Sequence, residues 1–288
     1  GGLSLEAAER RGRLVSHLRF AATLQDLRTV MLLRRQLGAE GPRSKPWIRL
    51  RPAGRGPLAW RRDWRGILRW PASRFLRLAG LGVVAGLSTA AAWAGTTPMI
   101  AVAGLALFVA GLDAIEGLAQ EVDHPDRRDS FPMPDGALHL RHLAAPTVVL
   151  GAVGLIGLVA AAAMTRDPGF VASVGLPLLL PGSAGVVGAA AVSTLRKPPD
   201  PAKLMMDSTG MGLVFHHALP PLIATIGPAI SLLVRYQLNE DPGAAVLGVS
   251  ASAALNISFI VILVGGWVRH RQGLAGYLAG GGTKDLGK

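Results

Sequence analysis

Six long apolar stretches constrain this chain more than any other feature of its sequence. Each is about 20 residues long, which is enough for a helix to cross the hydrocarbon core of a bilayer. Only 17% of the 288 residues are charged, against about 25% in soluble domains, so an ordinary water-soluble domain is excluded. The predicted spans lie at about 75–94, 98–118, 143–164, 170–195, 211–234 and 244–268.

These stretches predict an all-α fold, a polytopic membrane protein in three regions. Residues 1–73 form a basic cytoplasmic and interfacial helical region, and residues 74–268 form a six-helix transmembrane domain. Residues 269–288 are expected to be a cytoplasmic tail. The chain has no cysteine, which excludes disulfides, thiolate metal sites and a cysteine nucleophile.

The distribution of lysine and arginine predicts the orientation of the spans. If the N-terminal region is cytoplasmic, 28 of the 30 basic residues lie on that side, and only Arg166 and Arg235 lie opposite. This asymmetry is what the positive-inside rule requires, so both termini are predicted to be cytoplasmic. The net charge of +12 is therefore explained by the orientation of the spans in the membrane, and no nucleic-acid partner is predicted.

Two amphipathic helices are predicted before the first span. Residues 4–38 carry apolar side chains at helical spacing and form a long cytoplasmic helix. Residues 58–69 form an interfacial helix, since indole rings favour the headgroup layer and arginines favour anionic lipid. This helix is either the elbow helix of a transporter or a simple membrane anchor. The predicted membrane-interface residues are Trp60, Trp64, Trp70, Arg61 and Arg65.

The connection between the second and third spans is strongly acidic. Seven of the 18 acidic residues of the chain fall between Asp113 and Asp135. Asp113, Glu116 and Gln120 share one helical face at the cytoplasmic end of the second span, and a loop is predicted from Glu121 onward. The candidate coupling and docking residues are Asp113, Glu116, Gln120, Glu121, Asp123, His124, Asp126 and Arg127.

Three interpretations of this acidic segment compete. It is a loop that docks on a partner protein, a magnesium site of a membrane transferase that acts on lipid-linked phosphates, or a solvated loop of a non-catalytic scaffold. Carboxylates suit magnesium, but the DxxDGxxAR arrangement of phosphatidyltransferases is missing. The fourth loop offers only Asp200 and Asp207 as a second acidic site. Docking is therefore preferred, and no metal site is predicted.

The sequence contains no phosphate-binding loop of the form GxxxxGK[ST]. The chain is therefore expected not to be an ATPase. We also expect it not to be an enzyme by itself and to hold no cofactor. If it takes part in an ATP-driven process, ATP and magnesium are expected in a partner subunit.

Three segments together resemble the membrane subunit of bacterial ABC exporters of the ABC-2 class. They are DLRTVMLLRRQL, KPWIRLR and LDAIEGLAQEVDHPDRRDSFP. The resemblance implies a permease of the bacterial cytoplasmic membrane, homo- or hetero-oligomeric, that couples to an ATP-binding cassette subunit through loop 119–142. It places an elbow helix at residues 60–70 and a coupling segment at 120–142. Because the first Met is Met31, we expect this chain to be the C-terminal portion of a longer permease.

Almost no charged residues lie deep within the predicted spans, which disfavours an ion-coupled carrier. His216, His217 and Asn256 are the candidate pathway residues. The histidines either bind a substrate or proton, or form hydrogen bonds to a neighbouring helix. Prolines are predicted to kink the fourth and fifth spans, and the many small residues favour close helix packing. The prolines are Pro177, Pro181, Pro220, Pro221 and Pro228.

Overall fold

The computed structural model describes residues 45–49, 58–123, 133–196, 211–241 and 243–278. Every regular element within these ranges is a helix. The predicted helix over residues 4–38 lies outside them. The helices are α1 (Leu58–Ile67), α2 (Ala72–Trp93), α3 (Met99–Ala114), α4 (Glu116–Asp123), α5 (Asp135–Arg141), α6 (Ala144–Thr165), α7 (Pro168–Leu195), α8 (Met211–Glu240) and α9 (Val246–Leu278).

Five helices of the described residues are long and apolar enough to cross a membrane: α2, α6 with the preceding α5, α7, α8 and α9. A sixth span is obtained if α3 and α4 count as one helix, bent by 58°. The prediction of an all-α polytopic membrane fold is confirmed. The described residues give a count of five or six spans.

The bend between α3 and α4 has a chemical cause. Arg74 of α2 donates a hydrogen bond to the backbone carbonyl of Asp113, and its guanidinium also pairs with the carboxylate of Glu116. In a continuous helix that carbonyl accepts from the N–H four residues later. A side chain that enters the backbone ladder is a known cause of helix bends, so we attribute the break at Ile115 to Arg74.

Helix α7 lies at the centre of the bundle. It packs against α9, α6, α8 and α3, while α2 packs against α6 and α3. Residues 186–192 of α7 are all buried and are only valine, glycine and alanine. Small side chains let helix backbones approach each other, which favours association within a membrane.

Helices α2 and α6 are in close backbone contact. A Cβ atom built on Gly86 would lie 2.0 Å from the backbone oxygen of Gly157, and one built on Gly157 would lie 2.9 Å from the oxygen of Gly82. No side chain fits in this crossing. Glycine is therefore required here by packing.

Large apolar side chains cover the outside of the bundle. Leu76, Val159 and Leu255 each expose more than 70% of their surface. Such extensive apolar exposure is unusual for a soluble protein and suits contact with lipid.

Two helices extend beyond the predicted ends of their spans. The fifth span was predicted to end at residue 234, but α8 continues to Glu240, and α9 continues past residue 268 to Leu278. Polar residues end the apolar stretch without ending the helix, and in α8 the sequence Pro242-Gly243 comes only after Glu240. Both α7 and α8 run as continuous helices through their prolines.

Candidate functional site

Most of the interacting charged side chains lie at one end of the bundle, where α2, α6 and α8 begin and α3, α7 and α9 end. We call this the polar end. The short helices α1, α4 and α5 pack together there, and they also contact α6, α7 and α9. The acidic connection between α3 and α6 is therefore part of a structured layer.

Two arginines of α2 hold the first acidic residues of this connection. The Arg77 Nε atom lies 2.6 Å from Oδ2 of Asp113, whose side chain is buried. Arg74 pairs with Glu116, and Glu116 also accepts a hydrogen bond of 3.2 Å from Gln120. These contacts fix the start of α2 to the end of α3.

Glu121 occupies a position that its sequence context does not predict. The loop predicted from this residue onward is wrong for Glu121 and Asp123, since both belong to α4. Glu121 is completely buried and pairs with Arg62 of α1. An ionised carboxylate can be buried at tolerable cost only beside an opposite charge. Arg62 supplies that charge for Glu121.

A second buried pair joins α1 to the residue that follows α5. The Nδ1 atom of His142 lies 2.8 Å and 3.0 Å from the two carboxylate oxygens of Asp63. A Cβ atom on Gly117 of α4 would lie 2.2 Å from Asp63 Oδ1, so glycine leaves the space that the carboxylate occupies. We call Arg62, Asp63, Glu121 and His142 the polar block. It links α1, α4 and α5.

Burial raises the pKa of the Asp63 carboxyl above its usual value of 3.8, and this outweighs the opposing effect of His142 and Arg62. The charge of Glu121 also raises it. The folded chain therefore binds the Asp63 proton more tightly than the unfolded chain does.

The variant Asp63→Asn is expected to remove one pH dependence of stability. The contribution of Asp63 favours folding below its usual pKa of 3.8 and is lost as the pH rises through the raised pKa. The Tm of the wild type minus that of Asp63→Asn should therefore fall as the pH is raised above about 4. Tryptophan fluorescence of the detergent-solubilised protein measures both values, and a difference that rises over this range would contradict the assignment.

The remaining predicted docking residues divide into two groups. Gln120 and Asp123 are exposed at the polar end, as is Arg141 at the end of α5. We call these three residues the docking face. His124, Asp126 and Arg127 lie outside the described residues.

The predicted membrane-interface residues differ in exposure. Trp60 and Trp64 are half-buried with ring centroids 5.6 Å apart, Arg61 is half-buried, and Arg65 is exposed. Trp70 is buried, and the Arg74 guanidinium lies 3.8 Å from the centroid of its ring. Trp70 is therefore a packing residue that supports Arg74.

The structure describes two of the three candidate pathway side chains, those of His217 and Asn256. His217 is exposed near the start of α8, and the side chain of His216 lies outside the described part of the chain. Asn256 is exposed on α9 beside the exposed Leu255 and Phe259.

Several residues of the polar end were missed by sequence reasoning. Arg62, Arg74 and Arg77 were read as topological charge, and their partners are distant in sequence. Asp63 gave a usable signal, because it is the only acidic residue between Glu40 and Asp113. A single carboxylate within a basic segment indicates a specific partner.

Asp113, Glu116 and Glu121 pair with arginines, and Asp63 lies within hydrogen-bond distance of His142. Within the described residues, no group of three or more histidine, aspartate or glutamate side chains is placed to hold a metal ion. The geometry of these pairs is that of a structural connector between helices.

Comparison of the chain with protein-family models, curated proteins and solved structures gives no match. The function is therefore argued from the fold and the polar end alone.

Proposed function

We propose that this chain is the membrane subunit of an ATP-driven exporter and that a separate ATP-binding cassette subunit supplies the energy. The polytopic helical fold supports this proposal, as does the absence of a phosphate-binding loop from the sequence. ATP and magnesium would be held by the partner.

The polar block is the observation that carries the proposal. It joins the connection between the second and third spans to α1 through the pairs Arg62–Glu121 and Asp63–His142. Arg74 and Arg77 then join that connection to α2. Close-packed, ion-paired elements move as a unit, so a force applied to α4 or α5 would be transmitted to the spans.

The docking face is the surface on which the partner would apply that force. Gln120, Asp123 and Arg141 are exposed on the two short helices that the polar block holds in place. Asp113, Glu116 and Glu121 pair with arginines inside the layer, so their role in this proposal is to keep the layer rigid. His124, Asp126 and Arg127 remain candidates for contact with the partner.

The proposal also includes a location and an assembly. The polar end faces the cytoplasm of a bacterium, with both ends of the chain on that side of the cytoplasmic membrane. Trp60, Trp64, Arg61 and Arg65 then lie at the level of the lipid headgroups. The subunit pairs with a second copy of itself or with another permease.

Reversing charges on the docking face is expected to release the ATPase partner. The double variant Asp123→Lys/Arg141→Glu should lower the ATP hydrolysis that co-purifies with the tagged chain from its native membrane at least tenfold. Both side chains are exposed, so membrane insertion should be unchanged. Glu240→Lys is the control, because Glu240 is exposed at the other end of the bundle. Equal ATPase yields from the double variant and the wild type would contradict the proposal.

A further inference from the structure

A partly open cavity of about 130 Å³ lies between the helices of the bundle. Five helices line it, with Gly86 and Trp93 on α2, Leu107 on α3, Leu158 on α6, Leu178 on α7 and Ser231 on α8. We call it the bundle cavity. Because it lies between helices that the polar end holds at one side, a change in their packing would change its shape.

The lining of the bundle cavity favours an apolar occupant. Two of the hydroxyl groups that line it already donate hydrogen bonds within their own helices, Thr89 to the carbonyl of Ala85 and Ser231 to that of Pro228, and the Nε1 atom of Trp93 is a buried donor of the lining without a hydrogen-bond partner among the described residues. Water is held in a cavity only where several polar partners remain for it. An apolar cavity of about 150 Å³ stays dry and accepts benzene, which is close to the size found here.

Glycines keep this space open, and they do so in two different ways. Gly86 and Gly157 are required by backbone contact, and Cβ atoms on Gly154 and Gly175 would collide with leucine side chains. Gly182 also lines the cavity, but a Cβ atom there would meet nothing within 4 Å. A larger side chain at position 182 can therefore extend into the cavity without displacing a described neighbour.

We propose that the bundle cavity binds a compact apolar group of about the size of a benzene ring. The group belongs either to a free hydrophobic molecule or to the end of a lipid acyl chain. The role of this cavity as the substrate site of an exporter of hydrophobic compounds rests on the proposed function. Binding to the purified chain is a property of the cavity alone.

The test is binding of two fluorinated probes to the detergent-purified chain, followed by ¹⁹F NMR. One probe is fluorobenzene, and the other is a phosphatidylcholine with a fluorine at the end of each acyl chain. A saturable bound signal, distinct from the micelle signal, is expected for at least one probe. Fluorobenzene binding would assign the cavity to free molecules, and binding of the lipid alone would assign it to acyl chains.

Filling the cavity is expected to abolish that signal. Gly182→Leu should weaken binding at least tenfold, and the smaller Gly182→Ala should weaken it to a lesser degree. Gly151→Leu is the matched control, since Gly151 is also a half-buried helix glycine with nothing within 4 Å of a Cβ atom, but it does not line the cavity. If Gly182→Leu does not fold, the comparison of Gly182→Ala with Gly151→Ala decides.

Two results would overturn the inference: no saturable signal from either probe, or an affinity that both substitutions at Gly182 leave unchanged. Neither result would contradict the proposal that the chain binds an ATPase partner. If that proposal were contradicted instead, binding of a probe to the cavity would still stand.

Discussion

Replacing Arg62 with alanine is expected to destabilise the folded chain by about 3 kcal/mol. Removing one partner of a buried ion pair costs about 3–5 kcal/mol, because the other charge is left buried and unpaired. Glu121 has no exposed side-chain surface, whereas 29% of the Arg62 side chain is exposed, so the lower end of the range applies. The Tm followed by tryptophan fluorescence measures this change, with Trp60 and Trp64 as reporters on the same helix.

Two further variants separate the ion pair from general effects on α1. Arg65→Ala removes an exposed arginine from the same helix and should change stability by less than about 0.5 kcal/mol. Adding Glu121→Gln to Arg62→Ala removes the unpaired charge and should recover most of the lost stability. The assignment fails if Arg62→Ala is tolerated as well as Arg65→Ala.

The variant Gly86→Ala is expected to separate α2 from α6 at a cost of about 3 kcal/mol or more, the upper range for overpacking. The added methyl carbon would lie 2.0 Å from the backbone oxygen of Gly157. A backbone atom cannot move aside as a side chain does, so the whole helix must shift. Thermal unfolding in detergent measures the loss.

Gly80→Ala is the matched control for Gly86→Ala on the same helix. Gly80 is exposed, and a Cβ atom there meets nothing within 4 Å. Alanine favours a helix interior over glycine by roughly 0.5–1 kcal/mol, so Gly80→Ala should leave the Tm unchanged or raise it slightly. Equal effects of the two substitutions would show that α2 and α6 are not in backbone contact.

The membrane fold could be predicted from the sequence because each span needs only a long apolar stretch. The C-terminal ends of α8 and α9 could not be predicted, since hydropathy locates where a helix leaves the apolar layer and not where it stops. The bend at Ile115 could not be predicted either. It depends on Arg74, which is 39 residues from the Asp113 carbonyl that it contacts.

The polar end was predicted only in part, for the same reason. The acidic segment is visible as a composition bias, and it marks the correct region of the chain. Which of its carboxylates are buried depends on partners from α1 and α2 that have no fixed spacing from them. Glu121 and Asp123 are two residues apart on α4, yet one is fully buried and the other is exposed.

Site-specific photo-crosslinking in the native membrane tests the central claim most directly. A photoreactive amino acid at position 123, on the docking face, should crosslink to a protein that contains a GxxxxGK[ST] phosphate-binding loop, identified by mass spectrometry. The same amino acid at position 240 should not crosslink to that protein. Crosslinks from position 123 only to lipid, to the chain itself or to proteins without such a loop would contradict the account and favour a membrane scaffold.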